Sequence, residues 1–84
     1  MKYKANIDIM PLDELLDPQG KAVGSALKKL GIDSLLKVRV GKHILLEIEA
    51  EHEDDAKLKV EKACKKMLAN PVIEQFQYEL EQTE

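Results

Sequence analysis

The 84-residue sequence predicts an α+β domain of order β-α-β-β-α-β, with two helices on one face of a four-stranded antiparallel sheet. Three observations predict it. Apolar residues alternate with polar ones in four short stretches, they recur at helical spacing in two others, and turn or cap residues separate the segments in the right order. That order is the split βαβ of ferredoxin-like domains. It spans residues 1–84 as a single domain, without repeats or a low-complexity linker.

Each element has a local cause. Tyr3, Ala5, Ile7 and Ile9 alternate with Lys4, Asn6 and Asp8, so the first strand has one dry and one wet face. Pro11 ends it, and residues 11–16 form a connection. Asp17 accepts a hydrogen bond from a free amide of the first helical turn, and Pro18 fits the first helical position, where its missing N–H costs nothing. Val23, Ala26, Leu27 and Leu30 follow at helical spacing, and Gly31 is the left-handed stop.

Leu36, Val38 and Val40 predict a second strand, and Gly41-Lys42 a two-residue hairpin turn. Ile44, Leu46, Ile48 and Ala50 continue it as the third strand. Glu51, Glu53, Asp54 and Asp55 crowd the start of a second helix, where the macrodipole favours negative charge. Ala56, Val60, Ala63, Cys64 and Met67 carry its apolar stripe, and Asn70-Pro71 stops it. Phe76, Tyr78 and Leu80 form one face of the last strand. The second face of the predicted sheet then carries Lys4, Asn6, Asp8, Lys37, Arg39, His43, Leu45, Glu47, Glu49, Gln75 and Gln77, polar and of mixed sign.

Composition excludes several function classes. Net charge is −3 with both signs interspersed, there is no tryptophan, and the basic patch that releases counterions from nucleic acid is absent. No apolar run approaches the roughly 18–20 residues that span a bilayer. Lys2-Tyr3-Lys4 opens directly into a strand pattern rather than a signal peptide, and a lone cysteine on an apolar stripe suits a reducing compartment; both predict a cytoplasmic protein. So small a core supplies only about 3–5 kcal/mol, so with disulfides and zinc spacing excluded, a homodimer is the expected remedy.

A search for chemistry returns little. Ser25, Ser34 and Cys64 lack the base-and-acid arrangement of a nucleophilic triad. The glycines are scattered and do not form a phosphate loop, and the acidic cluster lacks the alternating oxygens of a calcium loop. The sequence predicts no catalytic, cofactor-binding or metal-ligating residue in this chain. Gly20 and Gly24, inside a helix where glycine costs about 0.5–1 kcal/mol against alanine, predict either simple packing against the sheet, the commoner case, or the close approach of another backbone from this chain or a partner.

Three stretches carry a resemblance that periodicity cannot supply: Leu16-Asp17-Pro18-Gln19-Gly20-Lys21-Ala22-Val23, Val38-Arg39-Val40-Gly41-Lys42 and Leu68-Ala69-Asn70-Pro71-Val72-Ile73-Glu74. In this order they resemble the PurS subunit family of phosphoribosylformylglycinamidine synthase over essentially the whole chain. The pattern departs from the family in the Pro11–Leu15 loop, at Leu45 and at Phe76.

The resemblance implies a non-catalytic subunit of a glutamine-dependent ligase of purine synthesis. It implies a homodimer, or a dimer of dimers, that docks a PurQ-like glutaminase and a PurL-like synthetase and assists ammonia transfer between them. ATP and Mg would be used by the synthetase partner. Carried over by position, the partner-contact candidates are Asp17, Gln19, Gly20, Arg39, Lys42 and Asn70. Asp17 and Asn70 also read as caps, and Arg39 offers a planar fork of donors for a carboxylate on another chain. A different class, an effector-binding regulatory module, remains open because βαββαβ domains also pair and bind small molecules between them.

Overall fold

The computed structural model describes residues 1–84. Strand β1 (Lys2–Pro11) is the centre of a three-stranded antiparallel sheet, flanked by β2 (Lys42–Glu49) and β3 (Glu74–Gln82) in the order β2-β1-β3. Helix α1 (Pro18–Lys29) follows β1, and helix α2 (Glu53–Ala63) lies between β2 and β3. Register sets Tyr3, Ala5, Ile7 and Ile9 opposite Ile48, Leu46, Ile44 and Lys42 on one side and Gln82, Leu80, Tyr78 and Phe76 on the other. The period of two therefore gathers the apolar residues of all three strands on one face.

Helix α2 covers that face. His52 caps it, accepting the Asp55 amide on Nδ1 at 3.3 Å, and the acidic residues occupy its first turn as the macrodipole favours. Val60 and Cys64 join Ala5, Ile7, Ile9 and Ala69 in the core, while Ala56 closes a smaller cluster with Tyr3 and Ala50. A π-helical extension (Cys64–Leu68) carries the helix onward, with the Ala69 amide donating to the Cys64 carbonyl at 2.9 Å.

The four-stranded sheet predicted from the sequence is corrected to three strands. The stretch Leu36–Val40 is not in the sheet, and the chain runs through Gly41 into β2 without a hairpin. Register explains why. A two-residue turn at Gly41-Lys42 would set Val40 opposite His43 and Val38 opposite Leu45, both on the wet face of β2. The apolar residues of this stretch would be exposed there, and Lys37 and Arg39 would face the core.

The stretch lies against α1 instead. Gly20 and Gly24 admit it: a Cβ on Gly20 would collide with the Val38 carbonyl oxygen, and one on Gly24 would meet the Val38 and Leu35 side chains at 3.6 and 3.7 Å. Consequently only α2 covers the sheet, not both helices, and Lys37 and Arg39 do not belong to the sheet's polar face. Helix α1 with residues 30–40 forms an arm beyond the end of the sheet, giving a molecule 51 × 26 × 14 Å in extent.

Candidate functional site

The arm is tied to the sheet at its base by a few polar groups. Asp17 stops the connection from β1 and caps α1, its side chain accepting the Gly20 amide on Oδ1 at 3.1 Å. Its other oxygen accepts the Val40 amide at 2.8 Å. One buried carboxylate thus joins the start of α1 to the residues that lead into β2. The two amides, Val40 foremost, hold the carboxyl below its ordinary range, since both bonds favour the charged form. Arg39 completes the joint. Its guanidinium donates to the carbonyls of Leu12 at 2.6 Å and Leu15 at 3.0 Å.

On the sheet side, Lys42 at the start of β2 pairs with Glu74 at the start of β3, Nζ to Oε2 at 3.6 Å. The other Glu74 oxygen accepts the Asn70 amide at 2.8 Å, while the Asn70 side chain accepts the Val72 amide at 3.1 Å. Between the two halves lies a cleft of about 380 Å³ lined by Pro11, Leu16, Asp17, Gln19, Lys42 and Glu74 among others.

The residues chosen from sequence therefore come together at one end of the sheet, with different roles. Asp17, Gln19 and Lys42 line the cleft, and Gln19 and Lys42 are exposed. Gly20 is buried beneath it against the Val38 carbonyl. Arg39 directs its fork at carbonyls of its own chain rather than outward. Asn70 shapes the turn before β3 and reaches the cleft through Glu74. Glu74 is the residue that sequence reasoning passed over. Its signal was the Asn70-to-Glu74 spacing, which lets a carboxylate cap the turn that the asparagine opens.

A second polar group stands on the open face of the sheet, where His43 Nδ1 lies 2.7 Å from Asp8 Oδ1. Cys64 is buried, and burial, with Glu61 nearby, pushes its thiol above the ordinary cysteine value. Nucleophilic attack requires the thiolate, so this cysteine is a core residue. No cluster of ligating side chains forms a candidate metal centre.

The PurS family model, described as phosphoribosylformylglycinamidine (FGAM) synthase, matches residues 4–82. The chain belongs to the PurS family. The PurS subunit of Methanocaldococcus jannaschii is 38% identical over 82 residues, 98% of this chain and 99% of that protein. The PurS structure from Bacillus subtilis superposes with a TM-score of 0.87 at 39% identity, covering 95% of this chain and 99% of the other. A chain of the PurLQS structure from Thermotoga maritima superposes at 0.84 and 34% identity, with 99% of each chain covered. A fit that close over nearly the whole length includes the arm, so the open shape is shared with these PurS chains. No helix is long and apolar enough to cross a membrane.

Proposed function

We propose that this chain is the small, non-catalytic subunit of a phosphoribosylformylglycinamidine synthase, which makes formylglycinamidine ribonucleotide from the formylglycinamide with ATP and glutamine in purine synthesis. It docks a PurQ-like glutaminase to a PurL-like synthetase in the cytoplasm and helps ammonia pass between them. Nucleotide and Mg belong to the synthetase. The observation that carries this reading is the full-length likeness to a chain of the PurLQS assembly. The cleft at the base of the arm supports a docking role for Asp17, Gln19, Gly20, Arg39, Lys42 and Asn70, because exposed Gln19 and Lys42 sit on a frame held rigid by the others.

The test uses purified glutaminase and synthetase with and without this chain, in the presence of glutamine and Mg-ADP. A ternary complex should form only when the chain is present. Omitting it should depress turnover supported by glutamine far more than turnover supported by free ammonia. Equal loss with both nitrogen sources would refute the transfer role. The cleft also gives an effector-binding reading some footing, since its volume lies in the range of small-molecule sites. A rise in melting temperature of the isolated chain with amino acids or nucleotides would favour that reading instead.

A further inference from the structure

Four lysines of the arm have no ionic partner in the chain. Residues 18–41 hold Lys21, Lys28, Lys29, Lys37 and Arg39 against a single acid, Asp33, although the whole chain has a net charge of −3. Arg39 gives its fork to carbonyls of its own chain. The ion pairs engage Lys2, Lys4, Lys42, Lys57 and Lys59, with His43 beside Asp8, and none of the arm's lysines. The macrodipole accounts for Lys28 and Lys29 in the last turn of α1. It does not account for Lys21, within a turn of the positive end, or for Lys37, outside the helix.

Three of these lysines meet. Lys21, Gly24, Ser25 and Lys28 recur at spacings of three and four, so they share one face of α1. The extended stretch crosses that face at Gly24, whose missing side chain lets Leu35 and Val38 pack close. The result is a groove of about 220 Å³ lined by Lys21, Ser25, Lys28 and Lys37 together with Leu35 and Val38. The three lysines are exposed, and the exposed Ser25 hydroxyl adds a further donor. Four other clefts of the molecule each hold at least one carboxylate, from Asp17, Asp8, Glu47 or Glu74. This groove holds none.

We infer that the groove between α1 and residues 35–38 binds a small phosphorylated molecule through its phosphate dianion. Lysine serves phosphate as a point charge, and three of them around one small space match charge concentrated on a single group. The carboxylates of an acidic peptide would instead be strung out at strand or helix spacing. A nucleic acid strand would need aromatic platforms for its bases, and residues 18–41 contain no Phe, Tyr or Trp. The volume falls below the roughly 300–1,000 Å³ of drug-sized pockets, which suits a phosphate with a sugar-sized body rather than a whole nucleotide. The groove shares no residue with the cleft at the base of the arm. It needs neither partner subunit, so it stands apart from the scaffold role.

The test titrates the isotope-labelled full-length chain with inorganic phosphate and, separately, with ribose 5-phosphate, at an ionic strength held constant with chloride. Amide signals of Lys21, Ser25, Lys28 and Lys37 should shift together and saturate in the millimolar range. K21A and K37A should each weaken binding roughly tenfold, whereas K37R should retain it and K62A, on α2, should leave it unchanged. Affinity for the ester should fall as pH drops through about 6, where a phosphate monoester loses its second charge. Saturation by either probe upholds the site, and the tighter of the two names the source, free phosphate or a sugar ester. No saturable shift with either probe, equal shifts around Lys62, Lys65 and Lys66, or an affinity that K21A and K37A leave intact would overturn it. Saturation by an oligoglutamate peptide without a response to phosphate would overturn it as well.

Discussion

Asp17 is one carboxylate with two amide donors, and that makes it the most informative single residue of the molecule. Because its carboxyl is held below the ordinary value, the stabilisation it contributes is full above that value and is lost as pH falls through the lowered one. Asp55, lowered chiefly by the Glu51 amide and then by Lys59, adds to the same acid limb. Urea unfolding midpoints should therefore decline at acid pH, and D17N should show a lower midpoint at neutral pH with a shallower acid decline. An asparagine presents only one acceptor oxygen, so one of the two amides loses its partner. An unchanged acid limb in D17N would show that Asp17 does not titrate in folding.

Neighbouring glycines in α1 should respond with opposite signs. Gly20→Ala drives a methyl group into the Val38 carbonyl and should destabilise by about 1–3 kcal/mol. Gly24→Ala meets only ordinary contacts, and should stabilise by about 0.5–1 kcal/mol through helix propensity. Thermal unfolding of the two variants side by side decides the point. At the same scale, Cys64 should react with a thiol reagent only as the chain unfolds, so its labelling rate should rise along the urea transition and stay low in the folded baseline.

Among the elements, β1 carries the sheet, being bonded on both sides and fully covered by α2 at Ala5, Ile7 and Ile9. Ile7→Ala should cost about 2–5 kcal/mol, most of what a core this small supplies, and leave the chain largely unfolded at moderate urea. Leu45→Thr on the open face of β2 should change stability by no more than about 0.5 kcal/mol. Element by element, the cap Asp17, the first-turn Pro18 and the left-handed stop Gly31, at φ +93°, stand as the sequence predicts. For α2 the acids of the first turn stand where the sequence puts them, while the cap itself, which the sequence reading did not name, is His52. The missing strand has a clearer lesson. Alternation at Leu36, Val38 and Val40 correctly marks an extended apolar stretch, but alternation carries no information about which edge the stretch joins.

At the scale of the whole molecule, the arm and sheet are two thin bodies joined at Asp17 and Arg39. The homodimer expected from so small a core would link folding to concentration, so the melting temperature should rise with protein concentration, and a concentration-independent value would argue for a self-sufficient monomer. The surface ion pairs, such as Lys2–Glu84 and Lys57–Glu53, are solvent-exposed, and added salt should leave the melting temperature nearly unchanged.

The candidate site was half legible. Asp17, Gln19, Gly20 and Lys42 came as candidates from the family resemblance; the cap role of Asp17 was also legible locally, whereas Lys42 read as half of a hairpin turn that does not form. The inward turn of Arg39 was not legible, since its acceptors, the carbonyls of Leu12 and Leu15, lie far back along the chain. Glu74 had a local signal in its spacing from Asn70, but its pairing with Lys42 did not, as that lysine lies on a different strand. What the sequence determined by itself was mostly of short range: the cap and stop of α1, the strand faces, the apolar count too small for a lone core, and the motif strings of the PurS family. Only the tertiary structure decided that the Leu36–Val40 stretch leaves its own sheet and follows α1. Strand pairing is a contest between distant edges, and here register parity closes the near one.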